Sequence, residues 1–272
     1  MLHQIFDIKI DYSKAGLDVT ASPKLFSYVL DTGYDGGEKV NRPAVVICPG
    51  GGYAGTSDRE AEPIAIRFNS LGFHAFVVRY TTGFPMRFPG ALLECGKAIA
   101  MVRRRAEEWH IDPDKIIICG FSAGGHLAGS AGVFWNKEFV TKPLNIQHQE
   151  NKPNGMILCY PVITSNEYAH HASIHNLLGE HYDEQKEFVS LEKQVSKDTP
   201  AAFLWHTYND DAVPIENTLL MATALRAQKI PCEVHIFPKG RHGLALSAEE
   251  TGGGQAEIAC WPDMAARWIK AL

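Results

Sequence analysis

Three residues that lie far apart in the chain are of the types that pass a proton between them: Ser122, Asp210 and His242. Ser122 stands in Gly120-Phe121-Ser122-Ala123-Gly124, after the β-branched run Ile116-Ile117-Ile118 and before a run of small residues. A strand, a sharp turn and a helix fit this stretch. With glycine two positions to either side, no bulky neighbour stops the backbone bending back, and the hydroxyl is exposed at the carboxyl end of the strand. A plainer reading is a glycine-rich turn whose serine caps the helix, and the pentapeptide alone does not separate the two. Partners separate them: acyl transfer needs a base for the serine proton, a group that orients the base, and donors for the oxyanion.

The base candidate is His242 in Pro238-Lys239-Gly240-Arg241-His242-Gly243, directly after the strand-like run CEVHIF. A neutral imidazole with an ordinary pKa of about 6.5 accepts the serine proton and returns it to the leaving alcohol. The acid candidate is Asp210, with Asp211 as second choice, in the loop after AAFLWH; the alternative is that both acids serve only the turn before Pro214. The donors are assigned to the backbone amides of Gly51 and Gly52, in the run Pro49-Gly50-Gly51-Gly52-Tyr53 that follows AVVIC, joined by that of Ala123. Gly50, Gly52 and Gly55 also satisfy G-x-G-x-x-G, a dinucleotide signature that needs a helix opening on the glycines. Arg79 at the end of the next strand would then suit a 2′-phosphate. The order Ser, Asp, His along the chain favours hydrolysis.

The elements that must position these groups are legible from periodicity. Residues 2 to 10 and 24 to 30 alternate apolar and polar and predict two antiparallel strands. A polar loop from Asp31 to Arg42 follows, and then Ala44 to Cys48, a continuous apolar run of the kind buried on both faces. A helix capped by Ser57 or Asp58 is expected to run to about Leu71, with a strand over Phe73 to Arg79 and a long helix over Gly90 to Trp109. Further strands are expected at Ile116, Met156 to Tyr160, Ala201 to His206 and Cys232 to Phe237, and further helices at Ile215 to Gln228 and Ile258 to Leu272. This alternation predicts an α/β fold with a mostly parallel sheet covered by helices on both faces. The polar stretch of about 161–200 breaks the rhythm and reads as an insertion near the site's rim, with a helical patch at Glu184 to Lys193. The Tyr53 loop, the Arg79 to Pro89 loop and this insertion are expected to wall the pocket. Gly252 to Gly254 is a further loop that could border it.

Length, 272 residues without a linker-like stretch or repeat, suggests a single domain over 1–272. A hydrophobic content of 45% supports a sizeable core, and a net charge of -5 argues against nucleic acid or an anionic membrane as partner. The opening MLHQIFDIKIDYSK has no export signal, and no apolar run reaches membrane-spanning length, so a cytoplasmic protein is expected. The six cysteines include no C-x-x-C pair, and Cys48, Cys119, Cys159 and Cys232 fall in strand-like runs as buried hydrophobes of a reducing compartment. His170, His171, His175 and His181 crowd the insertion; His171 and His175 could share a helix face, but a metal site would want a further ligand. Arg103, Arg104 and Arg105 read as a solvated helix face. No cofactor and no metal is called for. The oligomeric state is not legible, and a homodimer stays open.

Taken together, PGGGY, GFSAGG, the aspartate four residues before the Pro of Val213-Pro214, and HGLAL resemble the α/β-hydrolase-fold esterases. Within them the chain is similar to the bacterial acetyl esterase and acetylxylan-esterase-like group related to carbohydrate esterases, essentially from the PGGGY run to the last helix. The resemblance implies Ser122 as nucleophile, Asp210 as acid, His242 as base, and Gly51, Gly52 and Ala123 as oxyanion donors. It further implies a small-molecule ester as substrate, with short acyl groups and O-acetylated sugars among the candidates. One departure is Pro49, where many esterases and lipases have His before the glycines. The same groups would also serve a peptidase, and a hydrolase frame that only binds a ligand is a third reading.

Overall fold

The computed structural model describes residues 1–31 and 39–272. Most of the predicted Asp31 to Arg42 loop therefore lies outside the described residues. Among the described residues, eight strands form one sheet in the order β1-β2-β4-β3-β5-β6-β7-β8. They are β1 (Leu2–Asp7), β2 (Lys24–Val29), β3 (Arg42–Cys48), β4 (His74–Arg79), β5 (Ile111–Phe121), β6 (Gly155–Cys159), β7 (Ala201–Thr207) and β8 (Cys232–Phe237). The pairs β1/β2 and β2/β4 are antiparallel, as the alternating N-terminal residues predicted, and all others are parallel.

The continuous apolar strands are buried on both faces because successive side chains alternate between two cores. Val46, Ile118, Leu158 and Leu204 point into one, with residues of α2 (Gly90–Arg104), α4 (Ala123–Val133) and α8 (Glu216–Ala227). Ile47, Cys119, Ile157 and Trp205 point into the other, with α1 (Glu62–Ser70) and α10 (Trp261–Ala271). Every parallel strand thus ends at one rim, where the loops that follow β3, β5, β7 and β8 gather.

Several boundaries differ from the periodicity. No helix starts at Ser57 or Asp58: Asp58–Glu60 is a 3-10 turn and α1 opens at Glu62. Pro63 fits only a first turn, since deeper in a helix it would remove a backbone N–H bond. The long helix breaks at Arg105 into α2 and α3 (Ala106–Trp109), and the Arg105 guanidinium lies over Phe6 and Trp109. β5 begins at Ile111 rather than Ile116, with a register shift against β3. Arg103 and Arg104 are not simply solvated: Arg103 donates to the Glu150 carbonyl and to Asn154 Oδ1 (2.7 Å), and Arg104 grips the Glu150 carboxylate. A short helix not anticipated, α5 (Glu138–Leu144), holds Pro143 in its last turn. In the insertion the main helix is α6 (His171–Leu178), which buries Ile174, Leu177 and Leu178 at helical spacing. The expected patch at 184–193 holds only the end of α7 (Tyr182–Gln185) and a 3-10 turn at Leu191–Lys193.

Two buried histidines are held neutral. His126 accepts from the Tyr53 hydroxyl at Nδ1 (2.8 Å) and donates from Nε2 to the Val189 carbonyl (2.9 Å). His74 accepts from the Leu30 N–H at Nδ1 (3.1 Å) and donates from Nε2 to the His110 carbonyl (3.2 Å). Burial pushes both down to about 4. The unfolded chain takes up these protons near pH 6.5, the folded chain only near pH 4. Between those values the unfolded state binds more protons, so stability falls as pH falls, by on the order of 3 kcal/mol per group. Thermal midpoints should drop over that window, and His126→Gln should flatten the slope.

Candidate active site

Ser122 occupies the turn between β5 and α4 with φ 54° and ψ -119°, a left-handed backbone that costs about 1–3 kcal/mol for a residue with a side chain. The surroundings hold it there. Its N–H donates to the Cys159 carbonyl (3.0 Å), and its own carbonyl accepts from His126 (3.1 Å) and Val162 (3.0 Å). The flanking glycines are steric necessities: a Cβ on Gly120 would lie 2.0 Å from the Gly124 carbonyl oxygen, and one on Gly124 would lie 2.2 Å from that of Cys48. The second contact also packs the elbow against the end of β3.

Around the hydroxyl the three distant residues meet. His242 Nε2 is 2.8 Å from Ser122 Oγ, and His242 Nδ1 is 2.8 Å from Asp210 Oδ2. A neutral ring donating from Nδ1 presents the Nε2 lone pair to the serine proton. The loop that carries the ring is fastened to the one after β7: the Tyr208 N–H donates to the Phe237 carbonyl (2.7 Å), Thr207 Oγ1 to the Gly240 carbonyl (2.9 Å), and the Gly240 N–H to Asn209 Oδ1 (2.8 Å). Both acidic candidates are engaged, in different ways. Asp210 takes the ring, while Asp211 Oδ1 accepts from the backbone N–H of His242 (2.9 Å).

Asp210 is held below the usual carboxylate range. Burial raises its pKa, and contacts from His206 and His242 together with the Ala212 amide outweigh that cost. Its Oδ1 accepts from the N–H groups of Ala212 (2.9 Å) and Val213 (2.8 Å). His206, a group that sequence reasoning missed, is fully buried behind it with Nε2 3.3 Å from Asp210 Oδ2. That Nε2 donates to the Val213 carbonyl (3.0 Å), and Nδ1 accepts from Thr218 Oγ1 (2.8 Å). A histidine in an apolar strand four residues before the acid was the available signal.

The carbonyls of the glycine run are anchored within its own loop. The Gly50 carbonyl accepts from Ser57 (2.8 Å), and the Gly51 carbonyl from Ala54 (3.0 Å) and Gly55 (3.2 Å). In a trans peptide the N–H points opposite to the carbonyl, so these bonds orient the N–H groups of Gly51 and Gly52. Gly51 (φ 134°) and Gly52 (φ 64°) adopt backbones that favour glycine, and among the described residues the amides of Gly51, Gly52 and Ala123 have no protein acceptor. Support behind the run, where Pro49 replaces a histidine, comes from Tyr80, whose hydroxyl donates to the Pro49 carbonyl (2.6 Å), and from Glu60, whose Oε2 accepts from the Gly50 N–H (2.8 Å). No helix opens on these glycines, and Arg79 is bound to Asp58 and Thr56; the dinucleotide reading fails on both counts.

The insertion covers the run. Asn176 Nδ2 donates to the Gly52 carbonyl (2.8 Å), and half-buried His170, whose pKa is lowered by burial and then by the nearby His242, precedes α6. His171 and His175 both turn to Tyr182, one to its hydroxyl (3.2 Å) and one stacked on its ring (3.7 Å). The loop at Gly252 lies behind the histidine loop, where Arg59 bridges the carbonyls of Gly243 (2.9 Å) and Thr251 (3.1 Å). A larger hollow of about 1290 Å³ between residues 14–19, α5 and α7 is lined by none of these groups.

Comparison with known proteins follows the same lines. The BD-FAE family model matches residues 30–225. The chain is 39% identical over 238 residues to endo-1,4-beta-xylanase B of Butyrivibrio fibrisolvens, covering 85% of this chain and 36% of that protein. It is 33% identical over 211 residues to an acetylxylan esterase of Xylanibacter ruminicola, covering 75% of this chain and 41% of that protein. The chain thus spans about two fifths of the length of these curated relatives. Among solved structures, the acetyl ester-xyloside bifunctional hydrolase of Caldicellulosiruptor lactoaceticus superposes with a TM-score of 0.84 at 35% identity, over 98% of this chain and 96% of that one. The sheet order, the elbow at its rim and these matches lead to one assignment: the chain belongs to the BD-FAE family and has the α/β-hydrolase fold.

Proposed function

We propose that this chain is a metal-independent serine hydrolase of short acyl esters, acting as one domain over residues 1–272. The observation that carries the reading is the pair of 2.8 Å contacts that link Ser122 to His242 and His242 to Asp210. In the proposed reaction Ser122 Oγ attacks the ester carbonyl while His242 Nε2 takes its proton. Asp210 fixes the tautomer and steadies the imidazolium, and the amides of Gly51, Gly52 and Ala123 receive the oxyanion. His242 then returns the proton to the leaving alcohol. Water, deprotonated by the same imidazole, attacks the acyl-enzyme and releases the acid.

O-acetylated sugars are the substrate class we favour, supported by the acetylxylan esterase and the acetyl ester-xyloside hydrolase among the similar proteins. The test pairs labelling with turnover. A fluorophosphonate should modify the chain once, on the peptide containing Ser122. Acetate should be released from acetylated xylo-oligosaccharides and from p-nitrophenyl acetate, with rates falling as the acyl chain lengthens. Absence of labelling would leave only a binding role. Faster cleavage of aminoacyl amides than of acetyl esters would make the protein a peptidase.

A further inference from the structure

Glu60 is a buried acid, 3% exposed, that joins three loops of the site. Its Oε2 accepts from the Gly50 N–H (2.8 Å), at the start of the glycine run. Its Oε1 accepts from the Tyr160 hydroxyl (2.7 Å), just past the end of β6. That hydroxyl in turn accepts from the Ala245 N–H (2.9 Å), three residues beyond His242. The chain of bonds runs from Ala245 N–H to the Tyr160 oxygen and from Tyr160 O–H to Glu60, which also receives the Gly50 N–H. Both carboxyl oxygens are engaged: burial raises the Glu60 pKa, and the bonds from Tyr160 and Gly50, with His242 and Arg59 nearby, offset part of that rise. A Cβ on Gly50 would lie 2.7 Å from Glu60 Oε2, so only glycine leaves room for it. The Tyr160 ring meets the His242 ring edge to face at 5.0 Å.

We infer that Glu60 is a positioning residue for the ester hydrolysis proposed above: one buried acid that aligns the oxyanion loop and the histidine loop together. The inference rests on that reading. The other groups facing His242 are Asp210 and Asp211 from the loop after β7, Tyr160 and Ser122 from the ends of β6 and β5, His170 before α6, and Arg241 on its own loop. Glu60 is faced by Arg59, Tyr80 and Cys159 as well as His242 and Tyr160.

The test compares kcat and KM for p-nitrophenyl acetate across about pH 5 to 9 in wild type, Glu60→Gln and Tyr160→Phe, with melting temperatures alongside. Glu60→Gln sets an amide N–H₂ against one of two fixed donors. It should lower kcat about tenfold or more and leave KM within about twofold. Tyr160→Phe keeps the carboxyl group on Gly50 and cuts its link to Ala245, so kcat should fall several-fold with KM within about twofold. A folded Glu60→Gln protein with wild-type kcat, or with a loss carried by KM rather than kcat, overturns the inference. Should that variant not fold, wild-type kcat in Tyr160→Phe overturns it and the several-fold loss upholds it. Failure of the ester-hydrolase reading looks different, as a wild type whose turnover is absent or independent of Ser122.

Discussion

Replacing Ser122 with Ala is expected to remove turnover of p-nitrophenyl acetate by about 10⁵-fold or more, with a melting temperature close to that of the parent. The expectation follows from geometry. The Ser122 hydroxyl lies 2.8 Å from the base, and the backbone that holds it is tied by Cys159, His126 and Val162 through main-chain atoms that the substitution leaves alone. A side chain of one carbon fits the same positive φ at similar cost, so the elbow persists without its nucleophile. A near-normal rate in this variant would sink the proposed chemistry.

Asp210→Asn should lower kcat by about 10⁴-fold near neutral pH, because an amide N–H₂ turned toward Nδ1 selects the tautomer with its proton on Nε2, where the serine hydroxyl must donate. The same substitution carries a stability signature. Asp210 is held below the ordinary carboxylate range, so its ionised form stabilises the fold above about pH 4, the unfolded value, and that contribution is lost as pH falls toward the folded value. Wild type and variant should therefore differ in melting temperature at pH 7 and converge in acid. A difference that persists unchanged at low pH would mean that charge has no part in it.

The fold was largely legible because parallel strands buried on both faces appear as unbroken apolar runs, and because turns around Ser122 require glycine whatever their context. The candidate triad was legible for a related reason: each member stands in the turn or loop after a strand-like run, and the ends of parallel strands share a rim. What escaped notice were groups whose role depends on packing across the sheet. Glu60, in the charged stretch Asp58-Arg59-Glu60, looks like the opening of an amphipathic helix, and only its contacts with Gly50 and Tyr160 set it apart. His206 looks like one more core residue until the carboxylate in front of it is placed. The insertion shows in the sequence as a break in rhythm, but α6 does not stand out, since a short helix with three buried apolar positions leaves a faint periodic trace.

β8 lies at the outer margin of the sheet, paired only with β7, and the base hangs from the loop beyond it. The nucleophile, by contrast, is rooted in the middle, between β3 and β6. Peeling of that single outer strand would separate the proton acceptor from the serine while the central strands stayed zipped. Loss of catalytic competence on warming would then precede loss of the spectroscopic signal of the sheet, and recovery on cooling would report the last margin to close rather than the first interior to collapse.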